Sequence, residues 1–181
     1  YSQTPYDAES VRNLSKAVKK FSDSHSGLET AFLLAPNSTY IYSDYLPKYL
    51  ELPLQNKQIN SLRKKTASDN MLWLSAASLL KKNADKTQLY YKTDHHWTTR
   101  GAYLLFKEIC VQWGLESSKK EIDKKYDFFE VSTTFEGTLA STSGVHGTTD
   151  KIEICVPKDS EGTYVAYFES SGEKTASLFF A

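Results

Sequence analysis

Apolar residues recur at helical spacing in two segments of the sequence. They occupy every third or fourth position, at Val11, Leu14, Val18 and Phe21 in the first segment and at Ala102, Leu105, Phe106, Ile109 and Trp113 in the second. This spacing predicts two amphipathic helices. The first starts after residues 7–10 and ends at the Ser/His/Gly stretch 24–27. The second has Thr98 or Thr99 as its N-cap and Gly114 as its C-terminal cap.

Short apolar runs between turn residues predict strands in the same part of the chain. They are residues 30–35, 71–74 and 88–91. An unbroken apolar run is typical of a strand buried on both faces, as in a parallel sheet covered by helices. Further helices are predicted around 59–66 and 75–83, and 37–53 is predicted to be loop with one short helical turn. Alternating helices and buried strands indicate an α/β layered fold.

The sequence after Gly114 predicts mainly strands. The strand-like runs are residues 128–131, 152–156 and 164–168. The Ser/Thr/Gly-rich stretch 137–149 is predicted to be a loop and 169–174 a hairpin turn, with no further helix of comparable length. Because no repeat or linker divides the chain, residues 1–181 are expected to form a single domain with a β-rich C-terminal part.

The charge balance and the cysteines exclude several classes of function. Lys plus Arg and Asp plus Glu both number 22, so no one-sided field favours nucleic acid or an anionic membrane as a partner. No apolar run approaches the roughly 18 residues that a membrane-spanning helix needs. Cys110 and Cys155 are far apart, which argues against a zinc-thiolate site and leaves a disulfide between them open.

The densest chemistry lies in the sequence Thr93-Asp94-His95-His96-Trp97, between a predicted strand and the second predicted helix. Ligands of open α/β sheets bind at such a strand-to-helix edge. An Asp two residues before a His can accept the Nδ1 proton and leave Nε2 free to deprotonate a hydroxyl. Asp94 and His96 are therefore candidate catalytic residues.

Other interpretations of these residues remain open. The Asp–His pair is also compatible with a simple buried hydrogen bond, and Asp94, His96 and His146 could instead be ligands of a metal-dependent hydrolase. Aromatic residues near the motif, Trp97, Trp73 and Tyr91, can stack on sugar rings or pack in the core. Three serines are conceivable nucleophiles, although each is better explained as a turn residue; they are Ser38, Ser141 and Ser143.

The string Thr93-Asp94-His95-His96-Trp97-Thr98, followed by Gly101-Ala102-Tyr103, closely resembles the signature of the DHHW protein family. That family belongs with the SGNH-hydrolase-like proteins, which include the alginate-type polysaccharide O-acetyltransferases. Flanking segments agree as well, at 34–38, 45–47, 135–139 and 143–144. The resemblance implies an α/β, SGNH-hydrolase-like (flavodoxin-like) layered sandwich in which Asp94 and His96 are two members of a Ser-His-Asp triad.

The resemblance also implies a function and a location. The expected chemistry is acyl transfer or deacylation of O-acetyl groups on a cell-envelope polysaccharide, with no cofactor and no resident metal. The expected location is extracytoplasmic, in the cell envelope or secreted, with any membrane anchor outside this chain. His95, Trp97 and Tyr91 are then candidate substrate contacts. The resemblance assigns no role to His95; because the side chains of adjacent residues diverge, we expect His95 to pack or to contact substrate rather than to act as a second base.

The sequence departs from this family at the nucleophile. In the related proteins a Gly-Asp-Ser element follows the Asp-x-His motif, and these 181 residues contain no Gly-Asp-Ser. We therefore expect a domain that is incomplete at its C-terminus and in its catalytic machinery. The alternative is a non-catalytic polysaccharide-binding module. The apolar residues 177–181 at the chain end predict self-association.

Overall fold

A computed structural model describes residues 7–49, 55–66, 71–159, 166–167 and 174–175 of the chain. The helices are α1 (Ala8–Ser24), α2 (Ser38–Ile41), α3 (Gln55–Thr66), α4 (Ala76–Asn83), α5 (Thr99–Gln112), α6 (Lys119–Lys125) and α7 (Thr138–Ser143), with a 3-10 turn at Ser43–Tyr45. The strands are β1 (Thr30–Leu33), β2 (Met71–Leu74), β3 (Tyr126–Phe135), β4 (Asp150–Pro157), β5 (Ala166–Tyr167) and β6 (Lys174–Thr175). Helices and strands are interspersed along the chain, although α4, α5 and α6 follow one another without a strand between them.

The first two strands form the predicted parallel pair. β1 and β2 run side by side in register from Thr30 opposite Met71 to Leu33 opposite Leu74. Their side chains are mostly half-buried rather than fully buried. α1 forms where predicted, with Asp7 as its N-cap, and packs against α3. Part of its apolar stripe nevertheless stays exposed, because Phe21 retains 58% of its accessible surface.

Helix α5 is the central packing element. Thr98 is its N-cap, accepting a hydrogen bond from the amide of Gly101, and Gly114 follows it in the left-handed conformation at φ 68°. One side of α5 contributes Leu105 to a core formed with Ile41, Ala76, Leu80, Leu89 and Tyr90. Its other side contributes Tyr103 and Cys110 to a second cluster with Ile122, against which Cys155 packs. Both cysteines are free thiols.

The antiparallel pair β3–β4 covers the second side of α5. Its register runs from Tyr126 opposite Pro157 to Phe135 opposite Asp150, with irregularities between Glu130 and Phe135. The guanidinium of Arg100 on α5 donates two hydrogen bonds to the carboxylate of Glu153 on β4, at 2.8 and 2.6 Å. The same guanidinium lies 3.6 Å from the centroid of the Phe128 ring on β3. These contacts fix the start of α5 against the sheet.

Two predictions about elements were wrong. Residues 88–91 do not form a strand; they contain only an isolated bridge, between Tyr90 and Trp97. The predicted loop 137–149 contains the helix α7, whose Leu139 and Ala140 amides donate to the carbonyl of Thr93 at 2.9 and 3.1 Å. A contact from 46 to 47 residues away in sequence thus starts a helix that local composition does not favour. The short helix α6, at Lys119–Lys125, was not predicted either.

Some predictions fall on residues outside the described part of the chain. These are the predicted turn after Glu169, the ends of the strand 164–168, of which Ala166–Tyr167 form β5, and the apolar segment 177–181. Within the described residues, no helix is both long and apolar enough to cross a membrane.

Candidate functional site

The motif lies in a tight loop closed by backbone hydrogen bonds just before α5. The amide of Thr98 donates to the carbonyl of Leu89 at 2.8 Å, and the amide of Tyr91 donates to the carbonyl of His96 at 3.2 Å. Helix α5 can approach this loop because Gly101 has no side chain; a Cβ there would lie 2.5 Å from the Leu89 carbonyl oxygen. Asp94, His95 and His96 are therefore held at the tip of a short closed loop.

Asp94 is buried beneath this tip, with 4% of its surface exposed. Its Oδ1 accepts from the amide and the Nδ1 of His96, at 2.8 and 2.6 Å. Its Oδ2 accepts from the amide and the hydroxyl of Thr138, at 2.9 and 3.0 Å. Burial alone would raise the pKa of Asp94, but these four hydrogen bonds outweigh it and lower the pKa well below its usual range. The carboxylate is ionised at neutral pH.

His96 has the geometry expected of a general base. Because an ionised carboxylate can only accept hydrogen bonds, the Nδ1 of His96 carries the proton that points to Asp94. In the neutral ring Nε2 is then an acceptor, on a side chain that is 67% exposed. The Asp94–His96 contact that the sequence suggested is therefore formed, with the tautomer that a base requires.

The three proposed substrate contacts lie in different environments. His95 is exposed, and its Nδ1 lies 2.8 Å from the hydroxyl oxygen of Thr138. The expectation that its side chain diverges from that of His96 was wrong, because this contact brings the two ring centroids to 3.9 Å. Tyr91 is half-buried and meets the Phe135 ring edge-on, at 5.4 Å between centroids. Trp97 is also half-buried and packs against the core around α5, as the core interpretation of its indole anticipated.

Asp150 is a second buried carboxylate that the sequence analysis missed. At the start of β4, it accepts hydrogen bonds from the amides of Lys92 and Thr93 at 3.0 and 2.7 Å, from the Thr93 hydroxyl at 2.7 Å and from the Gln88 side chain at 2.6 Å. Burial opposes ionisation of Asp150, but these donors lower its pKa. An aspartate beginning an apolar strand run is a weak signal in the sequence, and its partners lie 57 to 62 residues away.

The segment before α7 closes over the other side of the motif. The amide of Gly137 donates to the hydroxyl of Thr93 at 3.1 Å. A Cβ on Gly137 would lie 2.4 Å from the Cβ of Asp94, so only glycine fits there. The flanking segment 135–139, singled out in the sequence, therefore completes the pocket around Asp94.

The structure separates the ligands of the hypothetical metal site. His146 does not join Asp94 and His96 but pairs with Glu136, with 2.7 Å between Nδ1 and Oε2. In the described part of the chain, Asp94, His95 and His96 are the group whose ligand atoms lie within 4.8 Å of one another. The Asp94 oxygens already accept four hydrogen bonds, which makes this group a hydrogen-bond network rather than a preformed metal cage.

The candidate serines do not contact the base. Among the residues that the structure describes, no serine hydroxyl forms a hydrogen bond with His96, whose Nδ1 partner is Asp94. Ser143 instead donates to the carbonyl of Ala140 and accepts from the amide of Val145, both at 3.3 Å, as expected of a turn residue. Ser38 lies in the first turn of α2.

Comparison with known proteins connects this site to a family. Residues 2–179 match the family model described as the SGNH hydrolase-like domain of the acetyltransferase AlgX. No curated protein matches the sequence significantly.

Three solved structures are similar to the chain. The O-acetyltransferase domain of Pseudomonas putida AlgJ is 19% identical, with a TM-score of 0.56 over 82% of this chain and 57% of that one. A DHHW family protein from Eubacterium siraeum is 20% identical, with a TM-score of 0.67 over 86% and 50%. Bacillus cereus PatB1 is 21% identical, with a TM-score of 0.68 over 96% and 61%. The likeness shows a shared SGNH hydrolase-like fold, and this chain spans between half and three fifths of each of these proteins.

We predict that Asp150 stabilises the motif loop only while it is ionised. Its pKa is lower in the folded chain than in the unfolded chain, so its contribution is full above the usual Asp pKa and is lost as pH falls through the folded value. Asp150→Asn should lower the free energy of unfolding at pH 7 by about 2 kcal/mol. The decline in stability on acidification should also become shallower.

Urea unfolding of the unaltered chain and of Asp150→Asn between pH 7 and pH 3 measures this effect. Asp23→Asn is the matched control, because Asp23 is exposed on α1 and should change stability by less than about 0.5 kcal/mol. Equal stability of Asp150→Asn and the unaltered chain at pH 7 would contradict the prediction.

Proposed function

The chain belongs to the family of SGNH hydrolase-like acetyltransferase domains represented by AlgX, and on that premise we propose that Asp94 and His96 are the acid–base pair for O-acyl transfer. The observation that carries the proposal is the 2.6 Å contact between Asp94 Oδ1 and His96 Nδ1, on an imidazole that is 67% exposed. The proposed substrate is an acyl ester or a hydroxyl of a cell-envelope polysaccharide, outside the cytoplasm. His95, Tyr91 and Trp97 are proposed to contact it.

In this proposal the acid–base pair acts on a hydroxyl that attacks an ester carbonyl. Nε2 of His96 takes the hydroxyl proton as the new O–C bond forms, and it returns that proton to the leaving oxygen when the ester C–O bond breaks. Asp94 stays ionised, holds the ring in one tautomer and stabilises the imidazolium between the two steps. Its low pKa suits this role, because a carboxylate that remains charged stabilises the cation throughout.

We further propose that residues 1–181 act as one domain and contain the base but not its nucleophile. Support comes from the absence of Gly-Asp-Ser from these residues and from the lack of a serine contact to His96 in the described part of the chain. A base without its nucleophile retains only weak assistance to attack by water.

The base is tested by the hydrolysis of p-nitrophenyl acetate. His96→Ala should lower the protein-dependent rate by about tenfold, because the weak general-base assistance to water is lost. His146→Ala is a closely matched control, since His146 is a similarly exposed imidazole with Nδ1 at 2.7 Å from a carboxylate oxygen. Equal losses in both variants would mean that any surface histidine explains the hydrolysis, and the proposal would fail.

The missing nucleophile is tested by intact-mass analysis after treatment with a fluorophosphonate. We expect no adduct on the folded 181-residue chain, because these reagents label serines that a neighbouring histidine activates. A single adduct that disappears in His96→Ala would show that the chain carries its own nucleophile. Such a result would overturn the proposed incompleteness while supporting the acid–base pair.

A tyrosine-lined cleft favours the second candidate function, a polysaccharide-binding module. The cleft has a volume of about 540 Å³ and adjoins the motif through Tyr91 and Lys92. Tyr42, Tyr45 and Tyr90 line it together with polar side chains that include Asp85. The Tyr45 ring is 75% exposed and meets the edge of Tyr42 at 6.0 Å between centroids. Aromatic faces bordered by polar groups are suited to sugar rings.

Binding and catalysis can be separated at this cleft. Tyr45→Ala should weaken the binding of an oligosaccharide ligand about tenfold, whereas His96→Ala should leave binding unchanged. Tyr49→Ala serves as the control, because Tyr49 is 88% exposed but does not line the cleft. Glycan arrays followed by calorimetry on the best ligand measure the effect. Unchanged binding in Tyr45→Ala would eliminate this cleft as the glycan site.

A further inference from the structure

His95 and His96 are joined to the same carboxylate by two different routes. His96 donates directly to Asp94 Oδ1, at 2.6 Å. His95 reaches Asp94 through Thr138, whose hydroxyl oxygen lies 2.8 Å from His95 Nδ1 and 3.0 Å from Asp94 Oδ2. We infer that the two imidazoles together bind a pair of neighbouring hydroxyls, the vicinal diol of an acceptor sugar, and that His95 determines which hydroxyl reacts.

The direction of each hydrogen bond follows from the charge on Asp94. Because Asp94 is ionised, the Thr138 hydroxyl must donate its only proton to Oδ2. The Thr138 oxygen is then an acceptor, so the Nδ1 of His95 must carry a proton and donate it. One buried carboxylate therefore fixes the tautomer of both rings, directly for His96 and through a hydroxyl relay for His95. In the neutral form of each ring, Nδ1 is therefore the protonated nitrogen and Nε2 is the acceptor.

The two imidazole rings lie side by side at the surface. The ring centroids are 3.9 Å apart and the planes are tilted by 38°. Both Nδ1 atoms face the Asp94–Thr138 network, and Nε2 lies on the far side of an imidazole from Nδ1. The side chains are 48% and 67% exposed, so both rings are accessible to a ligand.

Two adjacent acceptors select a ligand with two adjacent donors. Neighbouring hydroxyls of a sugar ring have that spacing, whereas carboxylates, phosphates and esters offer only acceptors and would face the lone pairs of both rings. His95 is not needed to orient His96, since Asp94 does so directly. If the only role of His95 were to hold the Thr138 hydroxyl, its ring would not need to lie against the His96 ring.

This inference deepens the proposed acyl transfer and rests on it for the identity of the reacting hydroxyl. The hydroxyl bound to His96 loses its proton to Nε2 while its oxygen forms the bond to the acyl carbon. The proton then leaves with the oxygen of the broken ester bond. The neighbouring hydroxyl only donates a hydrogen bond to His95, whose protonation does not change. His95 thereby orients the acceptor and selects the site of acylation.

The relay is tested by the tautomers of the two histidines. The sequence has 4 histidines, so long-range ¹H–¹⁵N spectra are simple, and the distant His25 and His146 serve as internal references. We expect the Nδ1–H form for both His95 and His96. Thr138→Val should release His95 into a tautomer mixture and leave His96 unchanged, while Thr138→Ser should restore the native pattern of both. An unchanged His95 in a folded Thr138→Val chain would overturn the relay.

Diol recognition is tested by titrating the whole chain with cis-1,2-cyclohexanediol and following the Cε1–H signals of His95 and His96. Both signals should shift and saturate, and cyclohexanol, which has one hydroxyl, should bind about tenfold more weakly. His95→Ala should remove the difference between the two ligands.

Equal affinity for both ligands, or no saturable shift with the diol, would overturn the inference. This titration needs no turnover. A second outcome is that the chain still hydrolyses p-nitrophenyl acetate in a His96-dependent way while binding the diol and cyclohexanol equally. That result would overturn the inference and leave the proposed function standing.

Discussion

The candidate site depends on two buried carboxylates. Hydrogen bonds from the motif loop and its neighbours stabilise their negative charges. Asp150 holds the base of the loop through Thr93 and Lys92, and Asp94 holds its tip through His96 and Thr138. Burying a charged carboxylate is costly unless its oxygens are well satisfied, and here each carboxylate accepts four hydrogen bonds. The loop is therefore rigid where the chemistry requires it, although its histidines are exposed.

Helix α5 fixes the position of the motif loop. It begins immediately after the motif, and the Arg100–Glu153 contact fixes its first turn against β4, the strand that starts at Asp150. Since the same helix packs into both apolar clusters, the position of the histidines is set by the core as a whole. The hydrogen bonds explain how this particular sequence holds the two histidines in place.

Local sequence patterns predicted the parts of the fold that local interactions determine. The spacing of Leu105 and Ile109 predicted α5, Thr98 predicted its start, and the apolar run 71–74 predicted β2. The Asp94–His96 contact was also predictable, because only two positions separate its partners. Asp150 and the contacts of Thr138 were missed, since their partners lie 43 or more residues away and no periodicity marks such contacts. Helix α7 was missed for the same reason: its first amides are satisfied by Thr93, outside the helix.

The long sequence separation of the Asp150 and Thr138 contacts also bears on the order of folding. The motif loop closes locally between Leu89 and Thr98, but the donors and acceptors that immobilise it are synthesised 44 to 57 residues later. Contacts of such separation carry a large loop-closure cost and form late. In a nascent chain the motif loop would thus be closed but loosely held until β4 has been synthesised and Asp150 contacts the loop. The shared tautomer of His95 and His96 would be one of the last features that the folding chain acquires.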